Sequence, residues 1–102
     1  MSREEKIVVF QIGTYLDDDR ITIDVGSKTT EYQNLEFWAP FRKTSQKFLD
    51  EINDDRIREV VKKLLEIEGI VKVRVEIYTL IVTKARLFSW RIIRPLIERV
   101  IL

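Results

Sequence analysis

Few residues in this chain could do chemistry, and the missing types narrow the choice first. The 102 residues include no cysteine and no histidine. That removes disulfides, thiolate nucleophiles, Cys/His zinc sites, thiolate-held iron–sulfur clusters and the imidazole acid–base. Carboxylates remain, and Asp17, Asp18 and Asp19 stand side by side. A hard cation takes six or more oxygens from alternating loop positions. Three consecutive Asp, with no Asp-x-Asp-x-Asp-Gly series and no distal Glu, do not supply that spacing, so the triplet reads as a solvated turn. The expectation is a chain with no catalytic residue, no metal ligand and no cofactor-binding residue, and therefore not an enzyme.

The other available chemistry is charge recognition. Eighteen Lys and Arg against seventeen Asp and Glu leave a formal charge of only +1, too little for a chain that coats nucleic acid or anionic membrane as a whole. The charge is uneven, however: residues 1–51 carry 7 basic and 10 acidic side chains, and residues 52–102 carry 11 and 7. Arg91, Arg94 and Arg99 fall in one arc near the end of the chain with only Glu98 to offset them, and Lys84 and Arg86 stand a little before. Guanidinium forks match carboxylates and phosphates. Arg91, Arg94, Arg99 and Lys84 are therefore the candidate partner-binding residues, with an acidic protein as the expected partner. The alternative is a small nucleic-acid-binding or other partner-binding domain using the same basic face. Against nucleic acid stand the lack of an RNP1-like aromatic series, of a Gly-x-x-Gly clamp and of overall basic excess.

These residues need elements to hold them. Ile7 to Phe10 is a short β-branched and aromatic run, and a strand is expected from Lys6 to Gly13. Ile21, Ile23 and Val25 alternate with polar residues over Arg20–Val25, the period of a half-buried strand. Gly26 and Ser27 turn the chain, and a looser alternation through Tyr32, Leu35 and Phe37 predicts a third strand within Thr29–Trp38, interrupted by Ala39-Pro40. A short helical turn is expected between Thr44 and Ile52. Ile57, Val60, Val61, Leu64 and Leu65 then recur at helical spacing, so the pattern predicts a helix from about Asp54 to Glu68, with Asn53 or Asp54 as cap and Gly69 as stop. Val71 to Ile77 alternates, and Leu80 to Thr83 follows as the second arm of a hairpin whose turn contains neither Gly nor Asn. From Ser89 onward, Trp90, Ile92, Ile93, Leu96, Ile97, Val100 and Ile101 fill one half of a helical wheel, while Arg91, Arg94, Pro95, Glu98 and Arg99 fill the other. Trp90 is thus expected in the core, and Pro95 on the solvent face, where water can satisfy the carbonyl it orphans. The order β-β-(β)-α-β-β-α implies a two-layer α+β domain, residues 1–102 as one unit, with two helices on one face of a mixed or antiparallel sheet. No apolar run approaches the roughly 20 residues needed to cross a bilayer, and no export signal opens the chain. A cytoplasmic protein without membrane contact is expected.

With the elements placed, the second half resembles the N-terminal domain of the Nfu, or NifU-like, family of iron–sulfur cluster scaffold proteins. Leu64-Leu65-Glu66-Ile67-Glu68-Gly69-Ile70 is similar to that family's helix end, Val73 follows at its spacing, and Val82-Thr83-Lys84 is similar to the end of its second hairpin strand. Trp90-Arg91-Ile92-Ile93-Arg94-Pro95-Leu96-Ile97 resembles its last helix, Pro95 included. Gln11 through Gly26 can be laid on its opening strand, loop and strand, although Leu16-Asp17-Asp18-Asp19 stands where the family usually carries Pro-Asn-Pro-Asn. Glu76 and Tyr78 stand where a Gly and an Asp are common. The family holds its cluster with a Cys-x-x-Cys pair in a separate C-terminal domain, and this sequence carries no such pair. The resemblance therefore implies a stand-alone accessory or interaction module of iron–sulfur cluster assembly that binds a scaffold or client protein and holds no cluster itself.

Overall fold

The computed structural model describes residues 8–31 and 34–102. Strands β1 (Phe10–Asp17), β2 (Arg20–Val25) and β3 (Leu35–Trp38) are followed by a 3-10 turn (Lys43–Ser45) that runs into the one-turn helix α1 (Gln46–Leu49). Helix α2 (Asp55–Glu66), strands β4 (Ile70–Val75) and β5 (Thr79–Lys84) and helix α3 (Trp90–Ile101) complete the chain. Among the described residues the five strands form one open sheet in the order β1-β2-β5-β4-β3. Every neighbouring pair is antiparallel, which resolves the mixed-or-antiparallel expectation. The later hairpin β4–β5 thus sits between β2 and β3. One face carries the core, where Ile21, Ile23, Phe37, Val73, Val75, Leu80 and Val82 meet Ile57, Val60, Val61 and Leu64 of α2 and Ile93 and Ile97 of α3. This is the two-layer α+β arrangement expected. No helix among the described residues is long and apolar enough to cross a membrane.

Local chemistry explains most boundaries. Asp54 caps α2 by accepting hydrogen bonds from the N–H groups of Arg56 and Ile57 at 2.7 and 3.3 Å. Gly69, at φ 97°, takes the left-handed conformation that turns the chain into β4. The β4–β5 turn needs no such residue: no non-Gly residue among those described has positive φ. Glu76 N–H instead donates to Thr79 C=O at 2.8 Å, and Val25 N–H and Thr29 N–H donate to the turn carbonyls of Tyr78 and Ile77. A turn held from outside does not need the Gly or Asn that a free two-residue hairpin demands.

Four expectations change. Strand β1 does not end at Gly13 but runs through it to Asp17; Lys6 and Ile7 lie outside the described residues. The pairing with β2 slips between Ile12 and Tyr15, and there the Thr22 hydroxyl accepts from Thr14 N–H and donates to Thr14 C=O. A Cβ on Gly13 would stand 2.4 Å from that hydroxyl, so the glycine marks a bulge inside a strand and not its end. Strand β3 keeps only Leu35–Trp38 of the longer segment, whose Thr30 makes an isolated bridge to Ile52; Tyr32 is not among the described residues. Helix α2 stops at Glu66, two residues early, because Ile67 is already extended at ψ 123°. Ile92, assigned to the apolar arc of α3, is 66% exposed: Ile93 and Ile97 set the buried direction, and Ile92 falls outside it.

Candidate interaction surface

The basic residues are presented by α3 and the corner of the sheet beneath its first turn. Ser89 starts the helix, its hydroxyl accepting from Arg91 N–H at 3.1 Å. Phe88 and Ile93, the residues before the cap and four after it, both lie against Gly69, a hydrophobic staple that fixes the entry angle. At the other end Arg56, in the first turn of α2, donates to the carbonyls of Val100 and Leu102, both at 3.2 Å. Helices α2 and α3 therefore run antiparallel, each end of one tied to the opposite end of the other.

Beneath the first turn of α3 lies an aromatic and charged corner. The Trp90 indole N–H donates to Asp18 C=O at 2.7 Å, and the Tyr15 ring meets the indole edge-on at 5.7 Å between centroids. Lys84 Nζ lies 5.7 Å from the Trp90 ring centroid, pairs with Asp19 at 2.9 Å and also donates to Ala85 C=O. Trp90 is half-buried at the margin of the core rather than within it. An open cleft of about 430 Å³ lined by Tyr15, Asp17, Asp18 and Trp90 lies beside this corner.

The structure separates the four candidate residues. Lys84 is 6% exposed, so it does not belong to a partner-facing surface. It follows Leu80 and Val82 on the inward side of β5, and its ammonium is spent on joining the β1–β2 loop to the start of α3. Arg94 is partly covered: its guanidinium lies 5.7 Å from the Tyr15 ring centroid, donates to the Tyr15 hydroxyl at 3.0 Å and stands 3.5 Å from Glu98. The Tyr15 contact, and then Glu98, hold Arg94 even more firmly protonated than a free arginine. Arg91 and Arg99 are exposed and take no ion pair among the described residues. Arg91 and Arg94 are one turn apart and form one patch. Arg99 lies about 140° round the helix from Arg94 and opens instead onto a groove beside α2.

The acidic triplet is absorbed by the fold. Asp17 accepts from Arg20 Nε at 2.8 Å and from Asp19 N–H at 3.0 Å, which together hold its carboxyl below the ordinary value of 3.8. Asp19 pairs with Lys84, and Asp18 offers its backbone carbonyl to Trp90. Among the described residues no cluster of carboxylates is arranged to hold a metal ion. The residue that sequence reasoning missed is Tyr15, which touches both Trp90 and Arg94 from β1.

Solved structures similar in fold include the following two. One is the crystal structure of protein SAV1430 from Staphylococcus aureus, 16% identical with a TM-score of 0.64 over 90% of this chain and 96% of that one. The other is the solution structure of a NifU-like protein from Saccharomyces cerevisiae, 12% identical with a TM-score of 0.58 over 98% of this chain and 80% of that one. At such identities the likeness is one of fold. No protein-family model and no curated protein sequence matches the chain.

Proposed function

We propose that this chain is a non-catalytic interaction module of iron–sulfur cluster assembly, binding an acidic surface of a scaffold or client protein through α3. The observation that carries the reading is the fold shared with a NifU-like protein along 98% of this chain. The sequence pattern at Gly69, Trp90 and Pro95 supports it independently. With no thiol and no imidazole among the 102 residues, the usual ligands for an iron–sulfur cluster have to come from the partner.

Arg91 and Arg94 would form the contact, and Arg99, which faces the groove beside α2, stands outside it. Arg94 is already oriented by Tyr15 and Glu98, so it loses little side-chain freedom on meeting a carboxylate. The test is titration of the purified chain against a Cys-x-x-Cys scaffold protein, with generic duplex DNA in parallel, at low and high salt. Binding to the scaffold that weakens with salt and drops in Arg91→Glu/Arg94→Glu, mainly through the association rate, is the expected result. DNA binding that falls steeply with salt and is lost in the same variant would replace this reading with the nucleic-acid one. Scaffold affinity unchanged in the variant would return the arginines to a plain solvated face.

A further inference from the structure

Helix α3 carries a second surface, on the side away from Tyr15, that the proposed function does not use. There the helix and the C-terminal end of α2 border a groove of about 440 Å³ whose floor is the half-buried Ile67, Leu96 and Val100. On the same side of α3, one turn before Leu96, stands Ile92, 66% exposed. A branched apolar side chain left in water beside an apolar groove is a knob and a hole on one surface.

The rim carries both signs of charge. Arg99 on the α3 wall and Glu66 and Glu68 at the end of α2 are exposed and take no ion pair among the described residues, while nearby Lys63 is already paired with Glu59 at 2.8 Å. A purely acidic partner would meet the two glutamates, and a purely basic one would meet Arg99. A surface that bears its own complement suits a copy of itself, since in a two-fold interface whatever one residue contacts is contacted back.

We propose that this groove is a homodimer interface in which two α3 helices pack antiparallel about a two-fold axis near Leu96. Ile92 of each copy then enters the groove of the other beside Val100. Arg99, one turn past the axis, lies opposite the start of the other copy's α3, where the end of α2 and hence Glu68 is found, because α2 and α3 are antiparallel. Arg91 and Arg94 stay clear of the contact, so the dimer is independent of the acidic-partner reading and compatible with it.

The test is the oligomeric state of the full chain by sedimentation velocity and light scattering across a concentration series. A reversible monomer–dimer equilibrium with a dissociation constant of about 1–100 μM is expected. Ile92→Glu should remove it, with unchanged circular dichroism because the side chain is exposed. Arg99→Glu and Glu68→Arg should each weaken it about 10-fold by placing like charges opposite one another. An equimolar mixture of those two variants should regain wild-type association, because in the mixed dimer the acid introduced in one meets the base introduced in the other in one half of the interface, and the native Arg99–Glu68 pair is kept in the other half. A wild type that stays monomeric at about 1 mM, an Ile92→Glu variant that dimerises normally, or a mixture that associates no better than its components would each overturn the proposal.

Discussion

Helices α2 and α3 have the same length and much the same apolar periodicity, yet they are held in different ways. In α2 the residues Ile57, Val60, Val61, Leu64 and Leu65 are all buried, whereas in α3 only Ile93 and Ile97 are. The first lies over β4, inside the sheet; the second lies towards β1, an edge strand, where the platform ends. What α3 lacks in buried area it gains at its ends: the Ser89 cap and Phe88 staple, the Trp90 bond to Asp18, and the Arg56 side chain on its last carbonyls. A helix pinned at its ends can leave apolar and basic side chains free along its flank, and a helix held by burial cannot.

The sharpest way to break this comparison is to truncate one side chain from each helix. Leu64→Ala, at a site with no exposure, should lower stability by about 2–5 kcal/mol, and Ile92→Ala should change it by less than about 0.5 kcal/mol; urea unfolding below the association range measures both. Equal losses would mean that α3 is buried as deeply as α2. Next in size is Gly69→Ala, which puts a side chain at φ 97° and 2.5 Å from the Phe88 ring. It should destabilise by about 1–3 kcal/mol and loosen both helices at once. Lys84→Met keeps the buried stem but removes the ammonium from Asp19, which is about one-third exposed and can be rehydrated. A loss of about 1–2 kcal/mol is expected, with the Trp90 fluorescence moving towards that of an exposed indole. If the loss is absent, the corner is not what fixes the first turn of α3.

The smallest effect is one of pH. The native Asp17 carboxyl binds its proton more weakly than in the unfolded chain, first through the hydrogen bond from Arg20. Its contribution is therefore complete above the ordinary value of 3.8 and is lost as pH falls through the lower native value. In Arg20→Gln the Asp17 titration followed by NMR should move back up towards 3.8. An unmoved titration would show that the Asp19 N–H alone sets it.

Much of this could be read from the residues, and the misreadings have physical causes. Strand β2, the β4–β5 hairpin and α2 follow from periodicity because each has one face on the core and one away from it. Gly13 misled because a glycine that admits the Thr22 hydroxyl at a bulge looks, in one dimension, like a strand end. Ile92 misled because a wheel shows which residues share a side but not how far the sheet extends beneath them. Lys84 misled because it stands close in sequence to the exposed bases, although the alternation from Leu80 and Val82 turns it inward. No linear pattern could bring Tyr15 to Arg94, since the contact exists only once β1 and α3 have both docked.

The strand order has a consequence for how the molecule is made. Strands β2 and β3 are consecutive in the chain, but the place between them belongs to a hairpin synthesised later. A ribosome releases sequence from the N-terminus at about 5–20 residues per second. The nascent chain therefore spends an interval in which β3 has no partner and β2 has only β1, a two-stranded ribbon too small to persist. The full sheet has to wait until Lys84 has left the exit tunnel. Arg20 and Asp24 on β2 and Glu36 on β3 are charges of the kind that discourage a bare strand from pairing with a neighbouring chain.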